Sequence, residues 1–138
     1  MTLDSVRLPV LNSLIFLRDE QTRNIPEING IGAVWSTTSC VAVGCLPDCD
    51  GETEVIIGPA DEVAKDGTLL FDRSLATPSG SVVVETVLSE TILQIGVPTS
   101  QTRVRIWTNG LRDTDKVIIG LGLTALPPRS PPPPKLLT

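Results

Sequence analysis

Histidine and tyrosine are absent from this 138-residue chain, and its only aromatic side chains are two tryptophans and two phenylalanines. Without imidazole there is no Ser–His–Asp or Cys–His nucleophile system and no His-ligated metal centre. Without a phenol, tyrosine acid–base chemistry is gone as well. A carboxylate pair of the glycosidase type remains open, but sugar sites need stacking aromatics that this composition can hardly supply. The stretch "GLGLT" at 120–124 lacks the lysine and spacing of a phosphate loop. These absences lead to the expectation of a non-catalytic protein without a cofactor.

Long apolar runs are lacking too: none approaches the roughly 20 residues of a membrane-spanning helix. The opening "MTLDSVRLPVLNSLIFLRDE" has no basic leader before its apolar stretch, and Arg18, Asp19 and Glu20 interrupt that stretch. The expectation is a soluble, cytoplasmic protein. Nor is there a basic tract. Affinity for nucleic acid comes largely from neutralising phosphates, so a chain of net charge −5 is a poor candidate for binding it.

What is present is charge of uneven distribution. Between 48 and 66 stand Asp48, Asp50, Glu52, Glu54, Asp61, Glu62 and Asp66 against a single base, Lys65. From Ser100 onward Arg103, Arg105, Arg112, Lys116, Arg129 and Lys135 face only Asp113 and Asp115. The acidic stretch suits a basic protein partner, although loops of this kind also serve simply to keep a domain soluble.

Period-two alternation with Val, Ile and Thr dominates the readable segments, which fits pleated strands better than helices. Strands are expected over Asn12–Arg18, Ala33–Cys45, Glu52–Gly58, Thr68–Leu75, Ser81–Leu88, Thr91–Val97, Thr102–Thr108 and Lys116–Leu123. Turn signals such as Asp50-Gly51, Asp66-Gly67, Pro78-Ser79-Gly80 and Asn109-Gly110 separate them. Pro59–Lys65 could form one helical turn with Pro at its start. The expected fold is all-β, an antiparallel β-sandwich of about eight strands over residues 1–125. Residues 126–138 form a separate Pro-rich tail, "LPPRSPPPPKLLT", expected to be extended polyproline II or disordered. Its PxxP spacings are a weak signal, since any proline cluster generates them. The runs "VII" at 55–57 and 117–119 and "VVV" at 82–84 break the alternation. They fit either strands covered on both faces or edges that pair with a second copy in a homo-oligomer.

All three cysteines fall in "CVAVGCLPDC", Cys40, Cys45 and Cys49. The spacing differs from that of structural zinc and iron–sulfur sites, and a fourth thiolate is lacking. On one strand Cys40 and Cys45 would point to opposite faces about 16 Å apart, too far for a bridge. A Cys45–Cys49 bridge across the turn is conceivable under oxidising conditions, but an odd count favours free thiols. The stretch reads as a strand, a turn at Asp50-Gly51 and a second strand, with cysteine as a small buried hydrophobe. "DCDGE" misses the frame of a calcium loop, yet loops at one end of a sandwich could pool Asp48, Asp50, Asp113 and Asp115 into a calcium-dependent binding module.

In "TRVRIWT" the alternation sets Val104 and Ile106 on one face and Arg103, Arg105 and Trp107 on the other. An exposed Arg–Trp face would be a contact surface, since those residue types concentrate binding energy. A bulge that turns Trp107 inward, or an arginine stem packed over it, is the alternative. Trp35, in step with Ala33, Val41 and Val43, reads as a core residue.

The segments "LIFLRDEQTRNIP", "DGETEVIIGP" as a middle hairpin, and "ILQIGVPTSQTRVRIWT" followed by "KVIIGL" together resemble the competence protein J family, small β-sandwiches that bind and inhibit a partner nuclease. The likeness covers about residues 11 to 123 and rests on strand order and a Pro-turn-strand-Trp pattern, so no functional residue is carried over. The polyproline tail and the cysteine cluster have no counterpart in it. The resemblance implies a protein-binding inhibitor or immunity-type partner of a basic enzyme. The candidate partner-binding residues are Asp48, Asp50, Glu52, Glu54, Asp61, Glu62, Arg103, Arg105 and Trp107. A structural subunit assembling through its Val/Ile edges is the alternative from another class.

Overall fold

Valine, isoleucine and threonine, whose branched side chains favour the pleated backbone, build ten strands in the computed structural model, which describes residues 2–30, 32–110 and 113–122. They are β1 (Asp4–Leu8), β2 (Leu14–Asp19), β3 (Val34–Ser36), β4 (Cys40–Gly44), β5 (Thr53–Pro59), β6 (Thr68–Ala76), β7 (Ser81–Thr86), β8 (Thr91–Gly96), β9 (Gln101–Thr108) and β10 (Lys116–Leu121). No α-helix occurs among the described residues. A front sheet has the order β1-β5-β10-β9-β6 and a back sheet the order β3-β4-β2-β7-β8. All neighbours are antiparallel except β5 and β10, which run parallel with Val55 opposite Val117 and Ile57 opposite Ile119.

The core lies between the sheets, where alternate residues converge: Ile15 and Leu17 of β2, Val41 and Val43 of β4, Val55 and Ile57 of β5, Val104 and Ile106 of β9, Val117 and Ile119 of β10. Each is almost wholly buried, and each such aliphatic side chain contributes about 1.5–3 kcal/mol. The Ala76 amide donates to the Thr38 carbonyl at 2.8 Å, tying β6 to the β3–β4 turn and closing one flank of the sandwich.

Two crossovers cover the outer faces. In the back sheet β2 and β3 both pair antiparallel with β4 and so run the same way, and residues 20–30 must return along the sheet to join them. They do so over the outer face, above the buried cluster Phe16, Cys40 and Ala42. There Thr37 Oγ1 donates to the Asn24 carbonyl at 2.6 Å and Trp35 Nε1 to the Asn29 carbonyl at 3.1 Å. In the front sheet β5 and β6 likewise run the same way with β10 and β9 between them. Residues 60–67 cross both strands and press Val63 onto Trp107 and Ile118. Gly120 permits this approach, because a Cβ there would stand 3.1 Å from both Ala60 and the Trp107 ring.

The structure corrects several expectations. Strand β1 was not anticipated, and Ala33–Cys45 is a hairpin of β3 and β4 rather than one strand. Its register pairs Trp35 with Ala42, so Trp35 belongs to the half-buried outer face with Cys40 and Ala42 and not to the core with Val41 and Val43. Strands β4 and β5 are not a hairpin either, since they lie in different sheets. The runs at 55–57, 82–84 and 117–119 fall on interior strands flanked on both sides, so they are not free edges for pairing with a second copy. The turn expected at Pro59–Lys65 is a single one, in which the Val63 amide reaches the Pro59 carbonyl at 3.2 Å. The strand expected to reach Leu123 ends at Leu121, and Leu123, the end of the domain near residue 125 and the Pro-rich tail 126–138 lie outside the described residues.

Candidate protein-binding surface

Because β5 and β10 are parallel, their first residues lie at the same end of the sandwich. The loops that lead into them meet there. The Glu54 amide donates to the Asp115 carbonyl at 2.8 Å, and the Leu46 amide to the Thr114 carbonyl at 2.8 Å. Between them a 3-10 turn at Asp48–Asp50 closes on Gly51, whose φ of +139° suits glycine. Asp48, Asp50 and Glu52 stand exposed on this turn and beyond it, and Asp113 and Asp115 are exposed on the neighbouring loop. Asp66 joins the same end, because the following Gly67 lies against the Thr108 backbone. The bases that the register sets beside them are Arg7 and Lys116, both opposite Glu54. Arg7 reaches Glu54 at 3.5 Å, an exposed pair worth well under ~1 kcal/mol. Asp48 and Glu52 enter no ion pair among the described residues.

The expected acidic stretch is therefore divided. Asp48, Asp50, Glu52 and Glu54 share one end, whereas Asp61 and Glu62 follow β5 and lie on the crossover at its far end. Strand β5 is extended and separates the two groups by roughly 20 Å. The pooling of Asp48, Asp50, Asp113 and Asp115 into a cation site is not seen: no three acidic or thiol groups among the described residues come together in a way that could hold a metal ion. Asp115 instead accepts from Asn109 Nδ2 at 2.6 Å.

Arg103, Arg105 and Trp107 do share the outer face of β9, as alternation requires. They do not form an exposed contact face. Trp107 is only 7% exposed beneath Val63, and the Arg105 guanidinium lies over its ring at 5.7 Å from the centroid. Arg103 is engaged with Asp72 through Nε–Oδ1 at 2.9 Å and Nη2–Oδ2 at 2.8 Å. That bidentate bond lowers the Asp72 pKa below its ordinary value and raises that of Arg103. The arginines and tryptophan act here as a fastening between β9, β6 and the crossover.

The cysteines are all free thiols. Cys45 lies in the core and Cys40 on the opposite, outer face, each with burial pushing its thiol up to about 12. Cys49 is exposed on the acidic turn. No Cys45–Cys49 bridge forms.

A feature that sequence reasoning missed lies next to the acidic end. A cavity of about 390 Å³ opens where the crossover 20–30 returns to the back sheet, lined by Ser13, Leu14, Ile28, Trp35, Gly44 and Asp113 among others. Its floor is Gly44, a position in a valine-rich strand where a Cβ would meet nothing nearer than 3.8 Å, so the missing side chain leaves space open. Nothing in the sequence ties Gly32, Trp35 and Gly44 to one another until the β3–β4 hairpin brings them together.

No protein-family model matches the chain, and no curated protein matches it in sequence. Two solved structures share its fold. The crystal structure of ComJ, inhibitor of the DNA degrading activity of NucA, from Bacillus subtilis, aligns with a TM-score of 0.64 at 10% identity, over 86% of this chain and 94% of that one. The structure of crocagin biosynthetic gene J aligns with a TM-score of 0.50 at 13% identity, over 86% of this chain and 96% of that one. At these identities the likeness is one of fold.

Proposed function

We propose that this chain is a non-catalytic inhibitor or immunity-type protein whose acidic end receives a basic protein partner. The observation that carries the reading is the convergence of Asp48, Asp50, Glu52, Asp113 and Asp115 on one end of a sandwich that shares its fold with a nuclease inhibitor. A nuclease must present basic surface to phosphates, and a concentrated negative surface is the complement that both steers its approach and occupies that surface. The absence of histidine and tyrosine fits a role in binding rather than in proton transfer. Three free thiols fit a reducing compartment such as the cytoplasm.

The test is affinity capture with the wild-type chain and with Asp48→Lys, Asp50→Lys, Glu52→Lys as bait, followed by association kinetics of any captured protein at several salt concentrations. A basic protein held by the wild type, lost by the reversed variant and associating more slowly as salt rises is the expected result. Equal capture by both baits, or kinetics indifferent to salt, would overturn the reading.

A further inference from the structure

The cavity beside the acidic end has backbone acceptors among its lining residues. The carbonyl oxygens of Gly32 and Ser13 lie 4.0 Å from where a Cβ on Gly44 would stand. The Ser13 oxygen already accepts from the Cys45 amide, but a carbonyl carries two lone pairs. Asp113 adds a carboxylate to the wall, Trp35 an indole, and Leu14 and Ile28 apolar surface. Ser13 and Asp113 are both held at positive φ, at +56° and +52°, a conformation that non-glycine residues rarely adopt. Ile28, more than a third exposed, stands at the opening.

We infer that this cavity receives an arginine side chain of the partner. The inference rests on the proposed function and specifies the group that the acidic end would fix in place. Carbonyl oxygens, a carboxylate and an aromatic ring all favour positive charge, so an anion is excluded by the same groups that attract a cation. A guanidinium presents five N–H donors in a plane, which matches several acceptors at once and stacks on an indole, whereas an ammonium is a hydrated point charge. The aliphatic stem of arginine would lie along Leu14 and Ile28. At about 390 Å³ the space is within the range of ligand pockets. Exposed apolar surface beside a pocket with an aromatic wall is the arrangement in which interface energy concentrates.

The experiment uses the full chain, isotope-labelled, with N-acetyl-arginine amide as probe and N-acetyl-citrulline amide as its neutral isostere. The indole signals of Trp35 and Trp107 and the amides of Gly32 and Gly44 are followed by NMR. The expected result is a saturable, millimolar shift of Trp35, Gly32 and Gly44 with the arginine probe, with Trp107 unmoved. Citrulline should bind at least tenfold more weakly, and Asp113→Asn should weaken the arginine probe several-fold. Gly44→Val should abolish binding by filling the floor. Gly44→Ala, whose methyl meets only ordinary contacts, should reduce it if valine disturbs the strand. Unmoved Trp35 and Gly44 signals, equal response to citrulline, or full binding by Gly44→Ala and Gly44→Val would overturn the inference. Loss of capture on reversing Asp48, Asp50 and Glu52 combined with no response to the probe would sink the pocket alone. Probe binding that persists while capture ignores the charge reversal would sink the acidic-end reading instead.

Discussion

Arg18 and Glu85 form a two-pronged ion pair under the first crossover, Nε to Oε1 at 2.8 Å and Nη2 to Oε2 at 3.2 Å, with both side chains almost wholly buried. Arg18 Nη1 also donates to the carbonyls of Asp19 and Glu20 at 2.8 Å, and Arg23 approaches Glu85 Oε1 at 3.3 Å from the crossover. The pair thus joins β2 and β7 to the segment that covers them. Removing one partner leaves the other charge buried and uncompensated. Glu85→Ala should cost about 3–5 kcal/mol in urea unfolding, whereas Arg18→Met with Glu85→Leu should come close to wild type. A double variant as unstable as the single one would show that the hydrogen bonds to the crossover, and not the stranded charge, dominate.

Asp19 gives a dependence on pH. Its carboxylate is buried at the end of β2 and accepts from the Ser79 amide at 3.0 Å, Ser79 Oγ at 2.7 Å, Thr22 Oγ1 at 3.0 Å and the Gln21 amide at 3.1 Å. Burial, the largest influence, raises its pKa, but the hydrogen bonds from Ser79, Thr22 and Gln21 together outweigh it and the folded value lies below the ordinary one. A lowered carboxyl pKa stabilises the fold above the ordinary carboxylate range, near about pH 4, and the contribution disappears as pH falls through the folded value. Melting curves of wild type and Asp19→Asn should therefore differ most near neutrality and converge in acid. A constant gap down to pH 2, roughly the lower limit of carboxylate titration, would contradict this.

Thiol chemistry separates the cysteines. Cys49 should react at once with a thiol reagent in the native protein, and Cys40 and Cys45, buried and weakly acidic, only on unfolding. Counting thiols before and after adding guanidinium checks this. Rapid reaction of a second thiol without denaturant would mean that the crossover over Cys40 opens readily.

Gly67 marks where the second crossover rejoins the sheet. Its φ is +88°, and a Cβ there would stand 2.1 Å from the Thr108 carbonyl oxygen. Gly67→Ala should destabilise by at least ~2–3 kcal/mol in denaturant titration and shift Trp107 emission to the red, since Val63 would lift from the ring. Val63→Ala, which only thins the cover, should cost less, about 1–2 kcal/mol.

Local alternation made most strands legible, because each half-buried segment writes its own period into the sequence. Strand β1 escaped since "DSVRL" is an edge strand with little buried surface. The β3–β4 hairpin reads as one strand because its turn, Thr37-Thr38-Ser39, contains no glycine or proline. A single strand puts Trp35 on the core face, whereas the hairpin register sets it outside, beside the cavity. For Trp107 the face was legible and the exposure was not, since what covers it comes from a crossover more than forty residues earlier. Which acids share an end was equally out of reach: Asp48 and Asp115 come to one end of the sandwich through the parallel pairing of β5 and β10, a long-range choice that no local period records.

That pairing also governs the order of assembly. Strand β10 is the last of the described strands in the chain yet fills the centre of the front sheet, between β5 and β9. Until it emerges from the ribosome, β5 and β9 hold open edges facing each other, while the back sheet, complete by Gly96, can already close. The nascent chain should thus pass through a half-built state with a finished sheet and an unpaired one. Its yield in cells would then respond to chaperones and to synthesis rate more than its final stability implies.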